Sequence, residues 1–268
     1  MNENFVKNIL ITGASGGMGA AAAEHFAAAG YRVFALDVKE IGAREGIIPV
    51  SADVTSEESV KEAFSLVKES CDGLFAIIHF AGVYMLDSLV EMKAERFRRI
   101  FDVNLYGVYL VNKIFLPLLS RGSRIIITTS ELAPLDPLPF TGIYAVSKAA
   151  LDKYAYSLKM ELQLLEIEVS VLRAGAVDTG MLGVSTDALD VFCEKTELYS
   201  CNAKRFKNIV NRVEARCVPP VKIAIKTEKI LRKSKPKFAY NINRNPLLLM
   251  LNILPKRAQL WIIKKILK

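Results

Sequence analysis

The chain has 268 residues, of which 51% are hydrophobic, and its formal net charge at pH 7 is +8. This length suits one large α/β domain or two small ones, and the apolar content argues against a disordered chain. Its two histidines and four scattered cysteines, with no CxxC pair, argue against a metal site or a disulfide framework and indicate reduced thiols in the cytoplasm.

Short apolar runs alternate with helical patterns through the first 182 residues. The runs predict buried strands at residues 8–12, 31–37, 47–54, 74–82, 123–130 and 167–175. Helical patterns span residues 21–30, 96–119 and 144–165, and another helix starts where Thr55 and Glu58 fit a capping box. Six continuous apolar strands separated by helices predict an α/β fold: a doubly wound parallel sheet of the Rossmann type, in a single domain.

The stretch ITGASGGMG, residues 11–19, joins the first predicted strand to the first helix. Glycines there let backbone N–H groups approach a pyrophosphate at the positive end of the helix. Asp37 ends the second strand 20 residues after Gly17, where a carboxylate accepts hydrogen bonds from the adenosine ribose and repels a 2′-phosphate. The sequence therefore favours NAD over NADP, with Lys39 as the nearby cation that could neutralise a phosphate.

Asp53 and Val54 follow the third predicted strand. They are placed to flank the adenine of a bound dinucleotide. The alternative is that Asp53 supplies negative charge to the N-terminus of the next helix. On position alone both interpretations stay open.

Tyr144 and Lys148 are four residues apart at the start of a predicted helix, so their side chains lie on one face. A phenol, whose ordinary pKa is about 10, is a poor base at neutral pH, and a nearby ammonium is expected to lower that pKa. Such a pair exchanges a proton with an alcohol or ketone while hydride moves to or from a nicotinamide. A single YxxxK is common by chance, so the surrounding motifs decide whether it indicates a catalytic pair.

That context is a set of motifs in one order along the chain. The motifs are Thr12-Gly13-x3-Gly17-x-Gly19, Asp37, Asp53-Val54, Ala81-Gly82, Asn104 in VNLYG, Ser130, Tyr144-x3-Lys148 and the late RAGAVDT at residues 173–179. Together they resemble the short-chain dehydrogenase/reductase family across roughly residues 5–182.

The resemblance implies a role for each matched residue. Tyr144 is the expected general acid/base, and Ser130 is expected to hold the substrate oxygen. Lys148 is expected to bind the nicotinamide ribose and lower the Tyr144 pKa, while Asn104 holds a water that relays protons to Lys148. The residues expected to bind the cofactor are Gly13, Ser15, Gly17, Met18, Gly19, Asp37, Asp53, Val54, Ala81, Gly82, Tyr144, Lys148, Gly175, Val177 and Thr179, the last reaching the nicotinamide carboxamide.

The sequence departs from the family pattern at three places. His79 and Phe80 stand where the family has two asparagines, and we interpret them as a buried, hydrogen-bonded spacer and a packing residue. Ala174 replaces the proline that usually precedes Gly175. The interval from Ser130 to Tyr144 is one residue longer than usual, which leaves Thr129 as a substitute for Ser130.

The C-terminal third is strongly basic. Residues 202–268 carry 18 Lys and Arg against two acids, a charge of +16, whereas residues 1–201 carry −8. This asymmetry indicates either an anionic partner or surface, or a solvated face. Nucleic-acid binding is not expected, because the region lacks interleaved aromatic residues and a known motif.

The resemblance divides the chain into three parts. Residues 1–182 form the dinucleotide-binding and catalytic core, and residues 183–244 form a substrate lid with the last helix and strand of the same domain. Residues 245–268 are an amphipathic tail with two apolar stretches split by Pro255. The tail suits an anionic membrane surface, and equally a helix that covers the substrate cavity or packs on another subunit.

The predicted function is transfer of hydride between NAD and a lipophilic secondary alcohol or ketone, steroid-like or retinoid-like. The substrate class comes from analogy with family members resembling hydroxysteroid and retinol dehydrogenases, whose tails are similar. The alternatives are a 3-oxoacyl reductase for carrier-bound substrates and a non-enzymatic dinucleotide sensor. The family resemblance also implies a homodimer or homotetramer. The expected location is the cytoplasm, with peripheral contact to a membrane as one interpretation of the tail.

Overall fold

The computed structural model describes residues 7–213 and 217–268. Seven strands form one parallel sheet in the order β3-β2-β1-β4-β5-β6-β7. The strands are β1 (Asn8–Thr12), β2 (Arg32–Asp37), β3 (Ile47–Ser51), β4 (Leu74–His79), β5 (Leu119–Ser130), β6 (Glu168–Ala174) and β7 (Ala239–Ile242). The chain crosses from β3, at one edge, to β4, which pairs with β1 at the middle of the sheet, and this reversal confirms the predicted doubly wound topology.

Helices cover both faces of this sheet. They are α1 (Gly17–Ala28), α2 (Glu57–Ser70), α3 (Ala94–Phe101), α4 (Gly107–Phe115), α5 (Gly142–Leu162), α6 (Gly180–Lys195), α7 (Ser200–Val213), α8 (Pro220–Leu231), α9 (Pro246–Ile253) and α10 (Lys256–Leu267). Ile9 and Ile11 of β1 pack in one core with α1 and α8, whereas Leu10 packs in a second core with α2 and α4. Side chains alternate between these layers because successive residues of a strand point to opposite faces.

Two strands end earlier than the sequence predicts. β3 ends at Ser51 and β4 at His79. Asp53, Ala81 and Gly82 therefore lie in the loops beyond the sheet, at the carboxyl edge where a doubly wound fold binds its ligands.

The single long helix predicted at residues 96–119 is wrong. α3 and α4 are joined by a π-helical turn at Asp102–Tyr106, and α4 ends in a 3-10 turn at Leu116–Leu118. The π turn adds one residue to the helix without disturbing its apolar pattern enough to be seen in the sequence. Pro117 favours the helix end because it has no N–H to donate.

The capping box predicted for α2 is also wrong by one residue. Ser56, rather than Thr55, is the N-cap, and its Oγ accepts a hydrogen bond of 3.2 Å from the Ser59 N–H. Thr55 is instead engaged by Asp53, whose Oδ1 accepts from both its N–H and its hydroxyl. Either hydroxyl residue can cap a helix, and the preceding aspartate decides between them.

The described residues of the C-terminal third add five helices and one strand to the core. α6 and α7 occupy the region predicted as a lid, and β7 extends the sheet beside β6. The tail forms two short helices, α9 and α10, separated by Leu254 and Pro255. Across the described residues, no helix is both long enough and apolar enough to cross a membrane. The division at residues 182 and 244 stays a prediction.

Candidate active site

Ser130 and Tyr144 meet at the carboxyl edge of the sheet. Ser130 is the last residue of β5, and Tyr144 lies in the first turn of α5. The serine hydroxyl hydrogen-bonds with the phenol, and this bond acts to lower the Tyr144 pKa. Burial of the phenol outweighs it and raises that pKa to about 12, although the residue as a whole is only partly buried. The phenol is thus a neutral proton donor at physiological pH.

Lys148 follows Tyr144 by one helical turn and is 5% exposed. Its Nζ donates to the Thr128 carbonyl at 3.3 Å and lies 5.9 Å from the centre of the Tyr144 ring. Burial lowers the Lys148 pKa to about 8. Burial is the largest influence on the Tyr144 pKa and raises it, and the lowering expected from the Lys148 ammonium stays a prediction.

Asn104 sits in the π turn between α3 and α4 and is fully buried. Its Oδ1 accepts from the Val83 N–H at 2.8 Å, and its Nδ2 donates to the Val83 carbonyl at 3.0 Å and to Ser147 Oγ at 3.1 Å. A π turn inside a helix is frequent at functional sites. Here the π turn places the Asn104 carboxamide so that it hydrogen-bonds both to the loop after β4 and to helix α5.

Gly82 lies beside both Asn104 and Lys148. A Cβ at this position would stand 3.2 Å from Asn104 Oδ1 and 3.4 Å from Lys148 Nζ. A side chain here would crowd the Asn104 amide oxygen and narrow the space beside both polar atoms. The structure therefore brings Asn104, Ser130, Tyr144 and Lys148 to one place, next to the predicted cofactor loop.

The glycine-rich loop between β1 and α1 is tightly packed at its base. Gly13 has a φ of +69°, and a Cβ there would stand 2.4 Å from the Ala81 nitrogen. At Gly17 a Cβ would stand 2.7 Å from the Thr179 methyl, so the loops after β1 and β6 approach each other here. Ser15 is exposed at the tip, and Met18 and Gly19 begin α1. Backbone N–H groups at this helix start suit a pyrophosphate.

Asp37, at the end of β2, faces the glycine-rich loop. Its Oδ2 accepts from the Ser15 N–H and its Oδ1 from the Lys39 N–H, both at 3.0 Å. These bonds fix the carboxylate beside the loop, where the ribose hydroxyls of an adenosine are expected. Lys39 contributes its backbone to this arrangement.

The geometry of Asp53 favours the helix interpretation over a contact with adenine. Its Oδ1 accepts from the Thr55 N–H at 2.9 Å and the Thr55 hydroxyl at 2.7 Å. Those hydrogen bonds, first the backbone one, hold the Asp53 pKa below its usual value. Val54 packs against Gly107, at the start of α4, where a Cβ would stand 2.8 Å from the valine methyl.

The loop after β6 closes the cleft on the other side. Gly175 approaches the Asn243 carbonyl so closely that no Cβ fits, and its N–H donates to Ile242 at 2.9 Å. Val177 is buried and forms a bridge with Val218. Thr179 is the residue before α6, and its side chain does not cap that helix.

His79 and Phe80 are structural, as the sequence analysis interpreted them. His79 is 2% exposed, with Nε2 2.9 Å from Asn112 Oδ1 and Nδ1 3.5 Å from Thr12 Oγ1. Burial lowers the His79 pKa to about 4, so the imidazole is neutral. Phe80 belongs to the core beneath α1. Both interpretations are confirmed.

Four residues near the site were missed by sequence reasoning. The Tyr84 ring lies 4.8 Å from the Tyr144 ring, and Ser147 donates from Oγ to the Tyr144 carbonyl at 2.8 Å. Asp152 accepts from Arg173 at 2.9 Å and 2.6 Å, which ties α5 to β6. Ser147 lies three residues after Tyr144 and Asp152 four after Lys148, and this helical spacing was the available signal. Nothing in the sequence pointed to Tyr84.

An apolar wall adjoins Tyr84. Phe140 has a φ of +66°, the left-handed region, and its ring packs 4.7 Å from Phe192 and 5.5 Å from Phe206. Leu86 and the ring of Tyr84 belong to the same cluster, which joins the loop before α5 to the two lid helices. Helices α6 and α7 therefore approach Tyr144 through hydrophobic side chains, by way of the Tyr84 ring.

These residues fit a nicotinamide dinucleotide. The glycine-rich loop and Asp37 lie at the adenosine end, and Lys148 and Gly82 lie beside the catalytic tyrosine at the other end. Because Gly82 has no side chain, the space beside Asn104 Oδ1 and Lys148 Nζ stays open, and a Cβ would extend into it. Within the described part of the chain, no three His, Cys, Asp or Glu side chains are grouped to hold a metal ion.

Comparison with known proteins agrees with this geometry. Residues 7–190 match the family model described as short chain dehydrogenase. Estradiol 17-beta-dehydrogenase 2 of Mus musculus is 33% identical over 191 residues, which cover 66% of this chain and 50% of that protein. The 3-ketodihydrosphingosine reductase of Bacteroides thetaiotaomicron is 26% identical over 245 residues, 85% of this chain and 91% of that protein. The chain thus spans about half the length of the estradiol dehydrogenase.

Solved structures share the fold. Aldohexose dehydrogenase of Thermoplasma acidophilum aligns with a TM-score of 0.72 at 21% identity, covering 88% of this chain and 92% of that one. The 3-ketoacyl-(acyl-carrier-protein) reductase of Brucella melitensis, solved with NADH, also gives 0.72 at 21% identity, with 88% and 96% covered. With the family match over residues 7–190, the chain belongs to the short-chain dehydrogenases, a family of oxidoreductases that bind a nicotinamide dinucleotide.

Proposed function

We propose that this protein is an NAD-dependent oxidoreductase that interconverts a lipophilic secondary alcohol, steroid-like or retinoid-like, and its ketone. The observation that carries the proposal is the meeting of Ser130, Tyr144 and Lys148 at the carboxyl edge of the sheet, beside the open backbone of Gly82. The bound nicotinamide supplies or accepts the hydride.

Tyr144 is the proton donor and acceptor in this proposal. In ketone reduction the phenol Oη gives its proton to the carbonyl oxygen as that oxygen becomes an alcohol. In alcohol oxidation the proton returns to Oη. The Ser130 hydroxyl, already hydrogen-bonded with the phenol, holds the same substrate oxygen and stabilises the charge that develops on it.

Lys148 and Asn104 support the tyrosine. With a pKa of about 8, Lys148 is able to gain or lose a proton near physiological pH. Asn104 fixes the loop before Tyr84 through both Val83 bonds and reaches α5 through Ser147. We assign it to the relay of protons between Lys148 and solvent.

Asp37 supports the preference for NAD. Its carboxylate is fixed by the Ser15 and Lys39 N–H groups and carries a negative charge where NADP would place its 2′-phosphate. The names of similar proteins indicate both NADPH and NADH as cofactors. A reductase of Schizosaccharomyces pombe, 33% identical over 192 residues, is named NADPH-dependent, whereas the Brucella structure holds NADH.

The apolar wall around Phe140 supports a lipophilic substrate. It places aromatic and aliphatic side chains next to Tyr84, whose ring touches that of Tyr144. A rigid apolar substrate buries its carbon skeleton against such a wall and leaves its oxygen to Ser130 and Tyr144.

The second candidate is a 3-oxoacyl reductase for carrier-bound substrates. The +16 charge of residues 202–268 favours it, because an acidic carrier protein would dock on basic residues. Similarity to the Brucella reductase is at the level of fold. The charge on Asp37 opposes it, because that reaction is normally driven by NADPH.

A panel of alcohols and ketones tests both proposals through the absorbance of NADH and NADPH. We expect turnover of steroid or retinoid alcohols with a lower Michaelis constant for NAD than for NADP. Turnover confined to 3-oxoacyl thioesters with NADPH supports the second candidate. Tight NAD binding without turnover of any alcohol or ketone points to a dinucleotide sensor and contradicts both.

We further propose that the protein works in the cytoplasm as a homodimer or homotetramer, with its tail at a membrane surface. The exposed faces of α4 and α5 support self-association, since Tyr109, Val146, Tyr156 and Met160 are each at least 40% exposed. Exposed apolar side chains of this kind on a helix pair indicate an interface.

A further inference from the structure

The tail carries an exposed apolar ridge on two consecutive helices. Its members are 37–82% exposed: Leu247, Met250, Ile253, Leu254, Leu260 and Trp261, here called the docking face. On α9 they recur at positions i, i+3 and i+6 or i+7, which places them along one side of the helix. Residues of this size are rarely left together in water unless they meet a partner.

Cations surround the docking face. Arg257, Lys264, Lys265 and Lys268 are exposed, and Lys265 Nζ lies 6.0 Å from the centre of the Trp261 ring. Lys256 is also exposed, but its Nζ forms an ion pair with Asp136 on the inner side of the tail. The sequence has no acidic residue after Glu228. A second copy of the tail would therefore bring like charges together, whereas an anionic lipid surface complements them.

The opposite side of the tail is hydrogen-bonded to the loop that follows Ser130. Gln259 is buried and donates to Asp136 at 3.0 Å, and Asn252 accepts from the Asp136 N–H at 2.6 Å. The Asn245 N–H donates to Glu131, the residue after Ser130, at 2.6 Å. The loop between Ser130 and α5 thus holds the inner side of α9 and α10, and their outer side is left exposed.

We propose that the docking face lies in the interface of an anionic phospholipid bilayer and that a lipophilic substrate enters the site from that bilayer. The apolar side chains sit among the acyl chains, and Arg257, Lys264, Lys265 and Lys268 meet lipid phosphates and carboxylates. Because the loop after Ser130 anchors the tail, the rim of the active site lies next to the lipid. The entry of substrate rests on the proposed function, while the docking itself does not.

Trp261 allows docking to be measured directly, because it is the only tryptophan in the chain. We expect its fluorescence to shift to the blue when the full chain meets phosphatidylcholine vesicles containing phosphatidylserine. Binding should weaken with added salt and be at least about tenfold weaker for phosphatidylcholine alone. No blue shift and no co-sedimentation with anionic vesicles would overturn the proposal.

Paired variants distinguish binding through the docking face from nonspecific binding through any exposed apolar or basic residues. I253S/L260S and K264Q/K265Q should each weaken vesicle binding, the second by about 30-fold. Leu164→Ser, at 81% exposure, and K229Q/K233Q at the C-terminal end of α8 are the matched controls and should bind as the parent does. Equal losses in the controls, or an oligomer that dissociates in I253S/L260S without any vesicle binding, would contradict lipid docking.

Substrate entry is tested separately in the enzyme assay. For a substrate dissolved in anionic vesicles, I253S/L260S should raise KM and leave kcat unchanged. For a short water-soluble alcohol both constants should match the parent. Unchanged KM for the vesicle substrate overturns entry from the bilayer, and failure of turnover with a positive Trp261 shift overturns the proposed function alone.

Discussion

Thr129 and Ser130 are adjacent on β5, yet their hydroxyls have different partners. Thr129 Oγ1 donates to Asp152 at 3.3 Å, whereas the Ser130 hydroxyl bonds with the Tyr144 phenol. Both partners lie on α5, and of the two hydroxyls it is that of Ser130 that reaches the Tyr144 phenol. The geometry favours Ser130 over Thr129, despite the longer interval between Ser130 and Tyr144.

Substitution of Ser130 should therefore affect catalysis, whereas substitution of Thr129 should affect stability. Ser130→Ala should lower kcat about 10²–10³-fold, because it removes a donor to the substrate oxygen. Thr129→Val should keep activity and lower the free energy of unfolding by about 1 kcal/mol, because it loses one buried hydrogen bond. Steady-state kinetics and urea unfolding distinguish them. A large loss of kcat in Thr129→Val would reverse the assignment.

Lys148→Met should destroy activity but stabilise the fold at pH 7. The folded pKa of Lys148 is about 8, below its unfolded value near 10.4, so the buried ammonium costs stability in full below pH 8. The cost fades as pH rises from 8 to 10.4, so the parent gains stability there. The gain for Lys148→Met at pH 7 is on the order of 3 kcal/mol.

Unfolding by urea from pH 7 to 10 measures this difference. Lys153→Met, at an exposed position on the same helix, is the matched control and should follow the parent at every pH. A Lys148→Met protein that is less stable than the parent at pH 7 would mean that the ammonium is stabilised by its surroundings.

His79 should make the fold sensitive to acid. Its folded pKa of about 4 lies below the unfolded value near 6.5, so the unfolded chain takes up the proton first. Stability is fully present above pH 6.5 and falls as pH drops to 4, by on the order of 3 kcal/mol. His79→Asn should lack this loss and keep its turnover.

Thermal unfolding at pH 7 and pH 4.5 checks the prediction. His25→Asn serves as control, since His25 is the other histidine and is partly exposed beside Glu228. It should keep the acid sensitivity of the parent. A loss of turnover in His79→Asn with cofactor affinity intact would show that the imidazole takes part in the reaction.

Asp37→Ser should change cofactor preference. Without the carboxylate, the Michaelis constant for NAD should rise at least about tenfold and that for NADP should fall, since the charge opposing the 2′-phosphate is gone. Glu40→Gln removes an exposed carboxylate three residues along and should leave both constants unchanged. Equal changes in the two variants would mean that net charge, rather than the position of Asp37, sets the preference.

The sheet and most of the catalytic set could be predicted, because they depend on local patterns. Alternating apolar runs fix the strands, and the spacing of Tyr144 and Lys148 places both on one helical face. The π turn at Asn104 could not be predicted, since one added residue leaves the apolar pattern almost unchanged. The raised pKa of Tyr144 depends on burial by residues distant in sequence, among them Tyr84.

Hydride transfer by Tyr144→Phe tests the central claim most directly. The variant keeps the ring and loses the phenol hydroxyl, and Tyr156→Phe, at an exposed position on the same helix, is its control. We predict that Tyr144→Phe binds NADH as the parent does, while its kcat with the best alcohol falls about 10²–10⁴-fold. Turnover equal to that of the parent, with the same pH profile, would contradict the account.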